Sequence, residues 1–493
     1  MSTTADRLDP SSVLVGRFWL AEDNEHTVQG RLTLAEGASP RLALDQALTP
    51  ALRELDRQEQ PDGTVVRTPG LADDGPDHES LVVHGALEDG ALVTLVDAFT
   101  IEWKHTLLVP DAGQDQQSLQ AISALLGGHV RGRDEVYTQV RLQLRHLESW
   151  AALPGFALEE VDPNQGWVTL AFRGSDSSPV SLADGGRLDL EQEPTIGDSK
   201  LRGGRIGRVL WLRAVDLPPM TADDLGRRFV TPLVTLLTLA TDTDCPPVAI
   251  QIATGPDQPW LTVHHSGLRA AAGEVLPTHK QLLPLAALGL DRVATWLGAG
   301  EKLGPLPPVV AAAAAGPGRT LETQLLELTT VAEGLHRRLF PESRRLSPEQ
   351  SSAARQAARG AVHDLDESVR TAVEGALKHL EEPSFPKRVE QLADCAAAAM
   401  PGVTGQRNRW KQCVTNSRNE FAHRSYGFLE NERILELLAV TRSLRWLLTG
   451  LLLLQTGLPR DQLATQANDH QPYVLFRRQA REWLPAVYQG PGP

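Results

Sequence analysis

Residues 407–424 read RNRWKQCVTNSRNEFAHR. Trp410, Cys413, Val414, Ser417 and Phe421 recur at three- and four-residue steps, which predicts a helix with one buried stripe. Off that stripe stand Arg407, Arg409, Lys411, Arg418 and Arg424, against a single acid, Glu420. Four residues separate Arg418 from His423, an R-x4-H spacing. The chain holds 41 Arg and 14 His in 493 residues, enough to produce about one such pair by chance. A second copy, Arg141 to His146, occurs in QVRLQLRHLESW. It encloses Leu142 and Leu144 and has no comparable basic neighbourhood, so it reads as a decoy. At the later copy Asn419 follows the arginine directly and lies four residues before His423, on the same helix flank.

Working outward, residues from Leu321 onward read as helices: about Leu321–Phe340, Pro348–Leu380 broken near His363, Pro386–Ala399, Arg407–Phe421 and Asn431–Leu454. Before them the pattern is mostly strand. Val13–Leu20, Thr27–Leu34, Ser80–Ala86, Ala91–Lys104, Gly166–Arg173, Arg205–Val215 and Pro247–Thr254 are β-prone runs bounded by Gly, Asp and Pro. Val28, Gly30, Leu32 and Leu34 alternate, and Glu88-Asp89-Gly90 is a hairpin signal. Helices are expected at Glu135–Leu153 and Thr231–Ala240. The prolines at 305, 307 and 308 and the run Ala311–Ala315 suggest a linker, with an Ala-rich helix as the competing reading. The expected class is α+β. Residues 1–285 form a β-rich domain, 286–320 a linker, 321–460 a helical bundle, and 461–493 a C-terminal extension.

Acids outnumber cations 62 to 48, for a formal charge of −14. Such a surface argues against general binding to DNA or anionic membrane but leaves room for a local basic site. Cys245, Cys395 and Cys413 are odd in number and widely spaced, which speaks against a disulfide framework or zinc site and for a reducing, cytoplasmic compartment. The opening MSTTADRLDPSSV has no basic and apolar leader pattern, and the most apolar run, Trp446–Leu454, falls short of the ~20 residues of a membrane span. His264-His265 lies in a strand-like context where adjacent rings face opposite ways, so no shared metal is expected. No phosphate-binding loop, dinucleotide fingerprint, HExxH or G-x-S-x-G motif occurs, and no cofactor or metal is expected.

The run N-S-R-N-E-F-A-H-R, late in a helical domain and followed by a long apolar helix, resembles HEPN domains, whose R-N-x-x-x-H form marks metal-independent ribonucleases. The remainder is similar to the ApeA group of anti-phage HEPN proteins. The likeness rests on Gly16-Arg17-Phe18-Trp19, on Val28-Gln29-Gly30-Arg31-Leu32, and on Gly85 leading to Val93-Thr94-Leu95. It extends through Leu144–Trp150, Pro232–Ala240 and Leu328–Leu335. The proline that often follows the aromatic pair is absent. The resemblance implies a role in phage defence with a phage-derived trigger, a homodimer, and an acidic catalytic partner at Glu333.

The chemistry agrees with these residue types. Cleavage by a 2′-hydroxyl needs a proton removed, a proton delivered and an anionic phosphorane stabilised. Histidine exchanges protons near neutrality, and arginine offers a planar fork of donors to phosphate oxygens. His423 is therefore the expected proton carrier, Arg418 the clamp and Asn419 an orienting amide, with Arg407, Arg409, Lys411 and Arg424 as RNA contacts. A 2′-hydroxyl nucleophile selects RNA over DNA. Five helical residues place Arg418 and His423 about 140° apart, so either the helix ends near His423 or two protomers combine their motifs. The competing readings are a non-catalytic dimerisation or nucleotide-binding module, and a transferase that modifies RNA. In the plainest alternative Arg418 and Glu420 make surface contacts while His423 caps the helix end.

Overall fold

The computed structural model describes residues 11–49, 52–59, 65–71, 80–104, 116–154, 156–162, 167–172, 178–197, 205–270, 275–314, 318–423 and 430–489. The chain divides into two units, Met1–Val234 with Cys245–Val275, and Thr235–Asp244 with Leu276–Pro493. The first is β-rich and the second is helical, an α+β chain.

In the first unit, six strands alternate apolar and polar residues and close on themselves. They are β1 (Ser11–Leu20), β2 (Asp23–Ala35), β3 (Arg41–Leu44), β4 (Leu81–Leu87), β5 (Leu92–Lys104) and β6 (Gln116–Leu126). Antiparallel pairing runs β3–β2–β1–β4–β5–β6, and β6 returns to β3. Closure removes the edges that an open sheet would expose. Phe18, Leu32, Leu42, Val83, Leu95 and Leu119 fill the interior. Along β2, Val28, Gly30, Leu32 and Leu34 are all buried, as their alternation requires. The expected hairpin joins β4 to β5, where Gly90 takes a φ of 87° and its N–H donates to Leu87 O.

The sheet continues through β7 (Gln139–Leu144), β8 (Arg187–Gly197), β9 (Arg205–Val215), β10 (Pro247–Ala253) and β11 (Leu261–His265). Their order is β8–β9–β7–β10–β11, and β11 pairs with β6. One edge of β6 is thus shared, residues 117–120 by β3 and 123–126 by β11. The helix expected over Glu135–Leu153 is mostly strand: β7 precedes a short helix at Leu147–Ala151. β7 pairs at its two edges with β9 and β10, and both of its faces are buried, Gln139 and Arg141 on one and Val140, Leu142 and Leu144 on the other. That burial blurs the alternation, and Leu144 with Leu147 mimics a helical step. Arg141 is structural: its Nε donates to Gln251 at 2.7 Å, Nη1 lies 3.1 Å from Glu191, and the guanidinium covers Trp211.

The helical unit contains α1 (Leu290–Leu303), α2 (Leu306–Ala314), α3 (Leu321–Leu339), α4 (Pro348–Ala361), α5 (Glu367–Leu377) and α6 (Phe385–Ala396). There follow α7 (Arg407–His423), α8 (Asn431–Leu453), α9 (Arg460–Asp469), α10 (Gln471–Trp483) and α11 (Pro485–Tyr488). The segment 286–320, expected as a linker, instead contains α1 and α2. Pro307 and Pro308 sit in the first turn of α2, where a missing N–H breaks nothing, and the alanines propagate the helix. The extension expected over 461–493 packs into the bundle through its described residues, 461–489: Tyr473 is fully buried against Trp446, with ring centroids 5.2 Å apart. Contrary to the short apolar run read in the sequence, the helix Asn431–Thr456 is long and apolar enough to cross a membrane by length and composition. Its apolar window is 78% buried inside the bundle. The buried residues of the segment extend well upstream of Trp446, through Leu437, Val440 and Leu444.

Phe18 and Gly85 are register partners on β1 and β4, and a Cβ on Gly85 would stand 2.6 Å from the Phe18 ring. Gly85→Ala is therefore expected to destabilise the β-rich unit by about 1–3 kcal/mol, as overpacking does. Denaturant unfolding followed by circular dichroism measures it, and adding Phe18→Leu should recover part of the loss.

Candidate active site

The buried stripe of α7 sets its rotation. Trp410, Val414, Ser417 and Phe421 are buried, and Trp410 Nε1 donates to Ser443 Oγ of α8 at 2.7 Å. Ser443 donates in turn to Val440 O, so the indole N–H is satisfied inside the core. Two further ties reach α8 through Arg433, whose Nη2 lies 2.5 Å from Glu420 and 3.3 Å from the buried Ser417.

Against α6 the contacts form a ladder. Arg407 pairs with Asp394, Lys411 Nζ lies 2.9 Å from Glu390 Oε1, and the Arg418 guanidinium stands 4.6 Å over the Phe385 ring. Residue numbers rise along α7 as they fall along α6, so the two helices run antiparallel. Lys411 and Lys387 hydrogen-bond Glu390 and hold its carboxyl down at about 2. Arg409 Nη1 donates to Ala486 O at 2.8 Å. Three of the four expected RNA contacts, Arg407, Arg409 and Lys411, thus have partners within the helical unit. Arg424 lies outside the described residues.

The ladder delivers Arg418 to α3. Its Nη2 donates to Glu333 Oε2 at 3.1 Å, and both side chains stay part-open, 30% and 29% exposed. The guanidinium is held from two sides, by a carboxylate and by an aromatic face, while part of it meets solvent. Asn419, next on the helix, is exposed. His423 is the last residue of α7 as described, and its side chain lies outside the described residues. The structure therefore brings Arg418 and Glu333 together and puts Asn419 on the open face, but it does not position the imidazole. Cys413 is half-buried and its thiol is pushed up by desolvation, with Glu436 adding to the shift. All three cysteines are free thiols.

Phe385, Glu390, Asp394 and Arg433 were not singled out in the sequence. The first three order the site, and one signal for them existed: Glu390 and Asp394 are spaced i, i+4, as are Arg407 and Lys411. Phe385 carried no comparable signal beyond opening a helix after Ser384.

Two family descriptions match the chain. ApeA N-terminal domain 1 covers residues 14–292, and Apea-like HEPN covers residues 326–462. No curated protein and no solved structure matches it.

The Lys411–Glu390 rung is part-buried, so a modest coupling of about 0.5–1 kcal/mol is expected from a double-mutant cycle with Lys411→Met and Glu390→Gln. Glu390 titrates below its ordinary value in the folded chain. The coupling should therefore be complete at neutral pH and fade as pH falls from about 4.5 towards about 2. Urea unfolding of the four proteins at pH 7 and at pH 3 checks the sign.

Proposed function

Since the chain belongs to the ApeA family and carries an Apea-like HEPN domain, we propose that it is a metal-independent endoribonuclease of anti-phage defence. The observation that carries this reading is the Arg418–Glu333 pair. A permanently charged fork of donors is held rigidly, part-open to solvent, inside the R-N-x-x-x-H run.

Arg418 binds the non-bridging oxygens of the scissile phosphate and stabilises the charge that grows on them. Glu333 fixes the guanidinium plane through one N–H and leaves the other donors for phosphate. One His423 imidazole takes the proton of the ribose 2′-hydroxyl. The 2′-oxygen attacks the neighbouring phosphorus, the bond to the 5′-oxygen breaks, and a second imidazole protonates that oxygen. The products are a 2′,3′-cyclic phosphate and a 5′-hydroxyl. Each chain carries one His423, so the second imidazole comes from another protomer and the working enzyme is a homodimer. Arg407, Arg409, Lys411 and Arg424 contact flanking phosphates, the first three by exchanging their internal partners. The β-rich unit senses the phage-derived trigger or restrains the helical unit.

The second reading is a non-catalytic HEPN-like module. It is favoured by the same pair, because an arginine already neutralised by a carboxylate also serves as a structural clasp.

Purified protein treated with EDTA and incubated with total RNA, with and without phage extract, separates the two. The expected result is fragments ending in 2′,3′-cyclic phosphate. Arg418→Ala is expected to lower the rate about 10²–10³-fold and His423→Ala about 10²–10⁴-fold. Equal rates for all three proteins, or no cleavage under either condition, would refute the catalytic assignment.

A further inference from the structure

A cleft of about 430 Å³ opens at the end of α3 that carries Glu333. His336 and Arg337 follow Glu333 by three and four residues on the same helix, so they occupy the neighbouring turn. Its opposite wall is Pro383 and Arg388, which flank Phe385, the ring beneath Arg418. The cleft therefore shares α3 with Glu333 and α6 with Phe385, the two groups that hold Arg418, while Arg355 reaches it from α4 and Lys378 from just beyond α5.

Its charge is out of keeping with the chain. Arg337, Arg344, Arg355, Lys378 and Arg388 line it, against only Glu381 and Glu382. Each carboxylate is shared. Glu381 lies 3.5 Å from Arg344 and 3.3 Å from Arg355. Glu382 lies 2.8 Å from Arg337 and 2.6 Å from Arg388. Lys378 has no carboxylate partner among the described contacts. Five cations and two acids leave three positive charges in one cleft of a protein whose formal charge is −14. Such an excess of positive charge attracts anions to the cleft.

The floor of the cleft is preorganised. Arg388 is 4% exposed; its Nε donates to Pro383 O at 2.9 Å, and Nη1 faces His336 Nδ1 at 3.5 Å. Arginine only donates, so Nδ1 is the acceptor and His336 carries its proton on Nε2, which donates to Gln391 Oε1 at 2.7 Å. Ser343 donates to the same oxygen at 2.9 Å. Burial and the neighbouring Arg388 both favour the neutral ring, against the opposing pull of Gln391. The imidazole is thus a fixed wall and the excess charge belongs to the guanidinium groups and Lys378.

We propose that this cleft is a phosphate-binding subsite that holds backbone phosphates of RNA next to the phosphate clamped by Arg418. The proposal rests on the nuclease reading for what lies at Arg418. RNA is favoured over a free phosphoanion because the cleft adjoins the pair along one helix turn, where a bound strand continues. A separate small ligand would leave that adjacency unexplained.

The test uses the full chain carrying His423→Ala, a fluorescein-labelled single-stranded RNA, and anisotropy at graded salt. Arg344 and Lys378 are exposed, so Arg344→Ala with Lys378→Ala should fold, which thermal unfolding verifies. Binding is expected to weaken about tenfold, and the log–log salt slope to become shallower by about 1.4 for two lost contacts on a single strand. Glu381→Gln removes a shared carboxylate and should tighten RNA binding several-fold. A purely structural cluster would instead weaken in both variants or change in neither, and either result overturns the proposal. In a parallel arm, sodium pyrophosphate is tested for thermal protection. Protection lost in the double variant with RNA affinity unchanged would assign the cleft to free phosphate and overturn the RNA assignment. Because binding is read rather than cutting, a chain that binds RNA through the cleft yet never cleaves it would sink the nuclease reading and leave this one standing.

Discussion

The helical unit depends on how α7 is rotated and slid against its neighbours. Rotation is set by the Trp410–Ser443 hydrogen bond, which places a bulky indole in the core with its one polar atom satisfied. The axial position is set by the rungs Arg407–Asp394 and Lys411–Glu390. Turning α7 by one residue would bury a charge or orphan the indole N–H, and sliding it by one turn would mismatch both ion pairs. With both fixed, only one place remains for Arg418, above Phe385 and beside Glu333.

That place has a particular electrostatic character. A guanidinium about 30% exposed, with one carboxylate partner, is neither deeply desolvated nor freely hydrated. It is held in geometry by the carboxylate and the ring, yet retains donors for an oxyanion. The neighbouring cleft repeats the principle on a larger scale, with two glutamates arranging four arginines. In both, acids orient the cations without cancelling all of their charge.

The β-rich unit solves a different problem. Long alternating strands would expose edges, and closure of β1–β6 removes them. The ring closes tightly because Gly85 lets Phe18 lie on the strand beside it. β6 then extends the sheet by dividing one edge between β3 and β11.

The local signals in the sequence were strong where one face was buried and the other wet. Alternation in β2, the Asp-Gly hairpin, the 3–4 stripe of α7 and the break between α4 and α5 all read directly, because side-chain period follows backbone geometry. The Arg418-Asn419 run and its acidic counterpart Glu333 were legible too, through resemblance to a family. Two stretches misread for physical reasons. β7 is covered on both faces and so lost its alternation, and α2 begins with prolines that break a helix only in its interior. What the sequence by itself determined, then, was the division into a β-rich and a helical part and the family resemblance carried by its motifs. Only the tertiary structure decided that Glu333 meets Arg418, that Arg407 and Lys411 face carboxylates, and that five cations line one cleft. Those facts depend on distances between residues tens of positions apart, which periodicity along a chain does not encode.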